Sequence, residues 1–289
     1  MCKISIIILI LFLILFNLYN KKKENFSNKI IKPNNWNNLG FNDKLIIYGK
    51  QLNKNYSIYA DKLKLKIVIG KLKIHNLYFP KTLKILKKND ELNLDKLPQD
   101  CIIKSNCGSG DIIIIKNKKI QKMISRNKTI NNYNEWFDKS IKPLNYKPLI
   151  EPHYKYIKSY IFVEEYLGNN VKDFKFFCIH GKVIFCQIDI NRFSNHTQSL
   201  YDKKFNLLPY NRGYNSINLK IQKPEKYDMM VLISEKIATK IGFDFVRVDL
   251  YFINNKIYLG ELTFVPGAAN ESLKIRPNKY DLEIGKLWY

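Results

Sequence analysis

The sequence predicts a mixed α+β protein built from two hairpin-rich lobes, and three stretches carry that reading. FVRVDLYFINNKIYLGELTF, Phe245 to Phe264, is a pair of apolar, β-branched and aromatic runs around asparagines that accept the backbone of a hairpin turn. DFKFFCIHGKVIFCQIDI, Asp173 to Ile190, repeats the pattern about His180-Gly181. Between them EKYDMMVLISEKIATKIG, Glu225 to Gly242, has apolar residues at helical spacing and stops on a glycine. With 289 residues, 46% of them hydrophobic and 13% aromatic, the chain has ample material for a core.

The elements follow in order. ISIIILILFLILFNLY, Ile4 to Tyr19, is almost wholly apolar and precedes Lys21-Lys22-Lys23. It is shorter than the roughly 18 to 20 residues of a usual span. It could also serve as the core of a signal peptide, but no small-x-small cleavage site follows. We read residues 1–20 as a membrane anchor, and the lysine triplet against Lys3 alone places the C-terminal body in the cytosol. Residues 21–40, polar and without apolar period, read as a linker. Residues 41–98 read as an N-terminal helical region, with NDKLIIYGKQL and YADKLKLKIVIGKL as helix-leaning segments.

In LDKLPQDCIIKSNCGSGDIIIIKNKK, Leu94 to Lys119, two strand-like runs flank a loop of small residues. The backbone N–H groups of such a loop can wrap phosphate oxygens, and Lys104 adds a positive charge. A tight surface hairpin explains the same residues, and no Walker pattern is present. A polar stretch with helical leanings then runs to about Tyr146, and IFVEEYL, Ile161 to Leu167, reads as a strand entering a turn.

The last hairpin poses a problem, because Arg247, Asp249, Glu261 and Thr263 interrupt its apolar runs. Alternation puts Arg247 and Asp249 on one face of the first strand, and Glu261 and Thr263 on one face of the second. A two-residue turn would pair Asp249 with Gly260 and send the carboxylates to opposite faces. A three-residue loop of Asn254, Asn255 and Lys256 pairs Asp249 with Glu261 and leaves Val246, Val248, Leu250 and Phe252 as a core stripe. We expect the three-residue loop. Two adjacent carboxylates without a cation repel, so a divalent metal fits between them. Oxygen-only ligands point to magnesium or manganese. The plainer alternative is a cross-strand ion pair neutralised by Arg247.

The formal charge of +24 invites a nucleic-acid reading. Yet Arg126, Arg192, Arg212, Arg247 and Arg276 are the only arginines, and the lysines are spread along the chain. Lysine-, asparagine- and isoleucine-rich composition accounts for the excess, which argues against a nucleic-acid surface. Cys2, Cys101, Cys107, Cys178 and Cys186 form no CxxC pair; an odd count fits reduced thiols in a cytosol-like compartment.

Together LPQDCIIKSNCGSG, EPHYKYIKSYIFVEEYL, DFKFFCIHGKV and FVRVDLYFINNKIYLGELTFVPG resemble the ATP-grasp superfamily. The likeness is greatest to TupA-like ATP-grasp proteins of teichuronopeptide and polysaccharide biosynthesis, from about Tyr59 to the C-terminus. The resemblance implies an ATP-grasp domain over 99–289 whose lobes meet near 164–167. It implies that Lys62 and Lys104 contact the nucleotide and that Asn106, Gly108, Ser109 and Gly110 belong to the loop over the phosphates. Glu164, Glu165, Tyr166 and Leu167 would read the adenine edge, and Asp173 would hold the ribose. Asp249, Glu261 and Thr263 would ligate magnesium, with Arg192 on the phosphate side and Arg247 stabilising the transferred phosphoryl group or the acyl intermediate. Three positions depart from the pattern: Thr263 for asparagine, Cys107 for histidine, and Asn191 where an acid is common. The implied activity is an ATP-dependent carboxylate–amine ligase acting through an acyl phosphate. Its implied partners are ATP, a glycan or glycolipid precursor bearing a carboxylate or amine, and an amino acid. Phosphoryl transfer to a glycan hydroxyl and a non-catalytic polyanion-binding module are the alternatives.

Overall fold

NDKLIIYGKQL folds as helix α1 (Phe41–Lys50). YADKLKLKIVIGKL does not run on as one helix. It is split into α2 (Lys54–Ala60) and α3 (Lys62–Gly70) at Asp61, whose carboxylate accepts from the N–H groups of Leu63 and Lys64 at 3.0 and 3.3 Å. Strands β1 (Leu77–Tyr78) and β2 (Thr82–Leu86) come next, and β3 (Cys101–Ser105) with β4 (Ile112–Lys116) is the expected loop hairpin. The stretch read with helical leanings gives instead β5 (Lys119–Ser125), β6 (Lys128–Thr129) and only then α4 (Tyr133–Ile141). Strand β5 buries little beyond Met123 and Ser125, so lysines on its open side hide its period.

After β7 (Ile161–Glu165) come the hairpin β8 (Asp173–Ile179) and β9 (Lys182–Ile190), then β10 (Thr197–Tyr201) and β11 (Asn211–Arg212). Helix α5 (Tyr227–Ile241) ends on Gly242 at φ 71°, the left-handed stop that glycine accepts most readily. The closing elements are β12 (Phe245–Ile253), β13 (Lys256–Thr263), β14 (Ile275–Arg276) and α6 (Asn278–Lys286). These positions come from a computed structural model that describes residues 30–87, 92–108, 110–125, 128–141, 148–168, 171–190, 197–213 and 220–289. Ile31 to Tyr289 form one unit. No described helix is long and apolar enough to cross a membrane, and the expected anchor at residues 4–19 lies outside the described residues.

Two six-stranded sheets organise this unit. The small sheet runs β2-β7-β3-β4-β5-β6, and on one face Ile103, Ile113, Ile115, Ile161 and Val163 pack against Trp136 and Phe137 of α4. The large sheet runs β1-β13-β12-β8-β9-β10 and is antiparallel except where β1 joins β13. Helix α5 covers one face of it, against β8, β9 and β12. On the other face Phe41 of α1 packs its ring on Phe177, Phe185 and Phe245, beside Trp288 just beyond α6. The rest of that second face is left for polar side chains.

The β12–β13 turn corrects the expectation. Ile253 pairs with Lys256, so the loop has two residues, Asn254 and Asn255, at φ 47° and 60°. Both are left-handed, as a type I′ turn requires. Asp249 nevertheless pairs with Glu261, because Leu250 pairs with Leu259 and Gly260 is an extra residue in β13. A β-bulge does what the longer loop was expected to do. Gly260 suits the place, since a Cβ there would meet the Tyr251 ring at 2.8 Å.

Candidate active site

Register maps the polar face of the large sheet into three rows. The first holds Thr263, Arg247, Phe177 and Phe185; the second Glu261, Asp249, Lys175 and Gln187; the third Tyr251, Asp173 and Asp189. Directly opposite residues share a face, so these side chains project together. Arg247 organises the first two rows. Its Nε and Nη2 donate to Asp249 Oδ1 and Oδ2, both at 2.6 Å, and Nη2 also reaches Glu261 Oε1 at 3.0 Å and Thr263 Oγ1 at 2.9 Å. Asp249 is 2% exposed. Burial first, then the charge of Glu261, pushes its carboxyl up to about 7 against the pull of Arg247 and Lys175. Lys175 donates to Asp189 and lies 3.6 Å from Asp173, while Gln187 Nε2 donates to Asp189 at 2.8 Å.

The facing side comes from the small sheet. Lys104 on β3 pairs with Glu164 on β7, and Lys66 of α3 reaches the same carboxylate at 2.6 Å. Both ammonium groups also lie over the Phe162 ring, at 5.6 and 5.5 Å from its centre. Half-buried Ile102, Ile112 and Ile114 extend this face into an apolar wall. Burial opposes the charge of Glu164, but Lys104 and Lys66 outweigh it and hold the carboxyl below its ordinary value. Glu165 accepts from the backbone N–H of Lys81 at 2.8 Å, the Tyr166 ring lies under Lys116 at 5.1 Å, and Leu167 follows, half-buried.

Lys62 joins the two sides: Nζ donates to Gly108 O at 2.5 Å and lies 3.4 Å from Glu261 Oε2. Lys64 points away, half-exposed, as helical spacing demands. Asn106 lies at the root of the loop and is fully buried. Its amide bridges Asp61 Oδ1, Lys158 O and the N–H of Tyr160. Gly108 and Gly110 take positive φ, 75° and 87°, which bends the loop around them. Ser109 and Arg192 lie outside the described residues.

Sequence reasoning missed Lys66, Lys175, Gln187, Asp189 and Tyr154. Lys66 carried a signal, since it stands one helical turn after Lys62. Lys175 and Asp189 carried the strand alternation of the middle hairpin. Tyr154 had none; it sits on the 3₁₀ turn Pro152–Tyr156. Burial and then Glu151 and Glu261 push its phenol well above the ordinary value, so it stays a hydrogen-bond donor. Its neighbour His153 is a core residue, with no partner on either ring nitrogen and a pKa pushed by burial down to about 3. Burial pushes the Cys107 thiol up to about 11, against nucleophilic use.

Among the described residues no three or more His, Cys, Asp or Glu side chains cluster as a metal cage. The donors fit magnesium all the same. That ion takes one or two carboxylates and completes its shell with phosphate oxygens and water. Asp249 and Glu261 are adjacent hard donors, and the charge of Glu261 adds to burial in raising the Asp249 carboxyl, a repulsion that a cation relieves. Arg247 would have to release Asp249, and Thr263 Oγ1 adds a neutral oxygen beside them.

A model of the TupA-like ATPgrasp family matches residues 43–289. The chain belongs to that family. The match starts earlier than the Tyr59 boundary read from the sequence and takes in most of α1. Among solved structures, this ATP-grasp chain is similar to D-alanine–D-alanine ligase from Bacillus anthracis complexed with ATP, with 17% identity and TM-score 0.45, over 81% of this chain and 65% of that one. The corresponding Helicobacter pylori ligase gives 15% and 0.41, over 80% and 60%. The ATP-grasp ligase PsnB, complexed with a phosphomimetic variant of its minimal precursor, Mg and ADP, gives 12% and 0.37, over 73% and 51%. The chain thus spans less than two thirds of the length of each, and at these scores the family match alone carries the assignment. No curated protein matches the chain.

Proposed function

We propose that this ATP-grasp protein is an ATP- and magnesium-dependent carboxylate–amine ligase. The observation that supports it most is the pairing of a cation-rich face, Lys66 and Lys104 about Glu164, with an acid-rich face, Asp249 and Glu261 about Arg247. One suits phosphates and the other suits the metal that accompanies them. Adenine lies on the wall of Phe162 and the isoleucines, its edge read by Glu164 to Leu167, with Asp173 at the ribose. Lys62, Lys66 and Lys104 hold phosphate oxygens, with Asn106 fixing the root of the closing loop and Ser109 and Gly110 at its tip. Asp249, Glu261 and Thr263 hold magnesium, which supplies charge neutralisation to the phosphates.

In the first step an acceptor carboxylate oxygen attacks the γ-phosphorus, the bond to the β–γ bridging oxygen breaks, and ADP leaves. Arg247, with Arg192 on the phosphate side, stabilises the transferred charge. In the second step an amine nitrogen attacks the acyl carbon, its C–O bond breaks, inorganic phosphate leaves, and the amine loses a proton. The loop excludes water so that the acyl phosphate survives. The acceptor is a glycan or glycolipid precursor of cell-surface polysaccharide, and an amino acid supplies the other group. Residues 4–19 anchor the protein to the membrane, with its body in the cytosol where ATP is. Phosphoryl transfer to a glycan hydroxyl would use the same face. Phosphate release by the full chain, measured with magnesium, amino acids and uronic acids, separates the two readings. A ligase releases phosphate only when carboxylate and amine are both present, and a turnover unaffected by Asp249→Asn or Glu261→Gln sinks both.

A further inference from the structure

The two most exposed large apolar side chains among the described residues are Ile31 and Leu149, at 83% and 82%. Both flank the C-terminal end of α1. Gln51, the residue after that helix, holds Ile31 by its backbone: the Ile31 N–H donates to Gln51 Oε1 at 2.7 Å, and Gln51 Nε2 donates to Ile31 O at 2.9 Å. Leu149 is set beside the same turn, because its neighbour Ile150 packs so closely on Gly49 that a Cβ there would meet the Ile150 carbonyl oxygen at 2.5 Å. Helix α2 and the 3₁₀ turn Pro152–Tyr156 continue this surface side by side. Each sends a ring inward onto Phe264, Tyr56 at 5.0 Å and His153 at 5.9 Å between centres. Lys54 and Ile58, one helical turn apart, stay outside with Lys155 and Tyr156.

The charge of this surface is one-sided. Residues 31–34, 49–58 and 148–158 hold exposed Lys32, Lys50, Lys54, Lys155 and Lys158, and their one acid, Glu151, is buried. Lysines around exposed isoleucine, leucine and tyrosine are what an anionic bilayer binds: ammonium groups meet lipid phosphates while apolar side chains enter the headgroup boundary. These segments hold no arginine, the side chain that reads bases and phosphates on nucleic acid. Chain order points the same way. Ile31 follows the apolar run ending at Tyr19 by twelve residues, and Lys21-Lys22-Lys23 lies between. A tether of that length reaches at most about 40 Å, and it joins the body on this surface.

We infer that the end of α1, helix α2 and the turn Pro152–Tyr156 form the membrane-facing surface of the body and bind anionic lipid headgroups. This rests on the anchor reading of residues 4–19 and adds a second contact to it. Lys158 belongs to this surface, and its carbonyl accepts from Asn106 Nδ2 at 3.1 Å, at the root of the closing loop. The loop therefore starts directly behind the lipid-facing residues, which suits an acceptor carried on a lipid.

The test reconstitutes the full chain in neutral phosphatidylcholine vesicles and in vesicles that also carry phosphatidylglycerol. Co-sedimentation with neutral vesicles reports the anchor, and hydrogen exchange reports the surface. Amides of 52–58 and 150–158 should exchange at least about 5-fold more slowly on anionic than on neutral vesicles, the worth of a single lysine near such a surface. Amides of 202–208, where the Phe205 ring packs on Tyr227 of α5, should exchange equally on both. Salt near 1 M should remove the difference, since it shortens the reach of charge to about 3 Å. Lys50→Glu, Lys54→Glu and Lys155→Glu together should abolish it, while ADP affinity stays within about 2-fold as a check on folding. Equal exchange of wild type on both vesicles overturns the proposal, and so does protection at 202–208 instead. A duplex oligonucleotide that protects 52–58 and 150–158 as well as the anionic vesicles do also overturns it. A chain that fails to sediment with neutral vesicles loses the anchor reading alone, and protection on anionic vesicles would then still uphold the surface.

Discussion

Glu164 and Asp249 are both buried acids in paired strands, and their environments shift them in opposite directions. Glu164 faces two lysines and is held below its ordinary value; Asp249 shares one arginine with Glu261 and rises to about 7. The small-lobe set carries a surplus positive charge, and the large-sheet set a surplus negative one. Burial opposes the charged form of both acids; Lys104 and Lys66 outweigh it at Glu164, and Arg247 does not outweigh it at Asp249. On the proposed reading each surplus matches a ligand, phosphate on one side and a divalent cation on the other. Lys62, touching both Gly108 and Glu261, spans the two.

The most drastic way to break this contrast is Gly260→Val, whose Cβ would meet the Tyr251 ring at 2.8 Å where the bulge now packs. If β13 loses the bulge and pairs residue 260 with Asp249, Glu261 and Thr263 turn toward α5, because a one-residue slip exchanges the faces of a strand. A carboxylate buried there without a partner costs about 3 to 5 kcal/mol. We expect a large fall in melting temperature and loss of magnesium-dependent ADP binding; retention of that binding would show that the bulge does not set the polarity. Next in size, Asp249→Asn and Glu261→Gln should each lower turnover by about 100-fold or more. Both should leave metal-free ADP binding nearly intact, and an equal loss of the two would erase the division of labour. Lys104→Met addresses the other side. ADP affinity should drop about 10- to 100-fold, as for a lost charged hydrogen bond, while manganese binding measured by spin resonance without nucleotide persists.

The smallest expected effect is on stability against pH. Asp249 has a folded pKa of about 7, above its ordinary 3.8. Its contribution is therefore fully present below the unfolded pKa and is lost as pH rises through about 7. Ligand-free chain should lose about 2 kcal/mol of unfolding free energy between about pH 5 and pH 8, at roughly 1.4 kcal/mol per pKa unit. Asp249→Asn should flatten that slope. Glu164 has the opposite sign: lowered in the fold, it loses its contribution only as pH falls below the carboxylate range. An unchanged slope in Asp249→Asn would place the titration on another group.

The sequence carried the elements whose pattern is local. Alternation and turn residues marked β8–β9 and β12–β13, the apolar period and terminal glycine marked α5, and small residues marked the loop after β3. Elements that owe their state to neighbours were not legible. Strands β1 and β2 are short pieces completed by β13 and β7, and β5 is a lysine-rich strand held by β4. The family match over 43–289 bears out the ATP-grasp resemblance, while the partners of individual charges stayed hidden.

The carboxylate pair shows the boundary between the two. The sequence by itself determined that Asp249 and Glu261 lie in facing strands, because period two and the asparagine turn are local rules. It did not determine that they share a face, since a bulge at Gly260 depends on how Tyr251 packs across the strand. Likewise the spacing of Lys62 and Lys66 is a property of the chain, but their separate partners are not. Glu261 and Glu164 come from distant strands, and only the tertiary fold brings each within reach of its lysine.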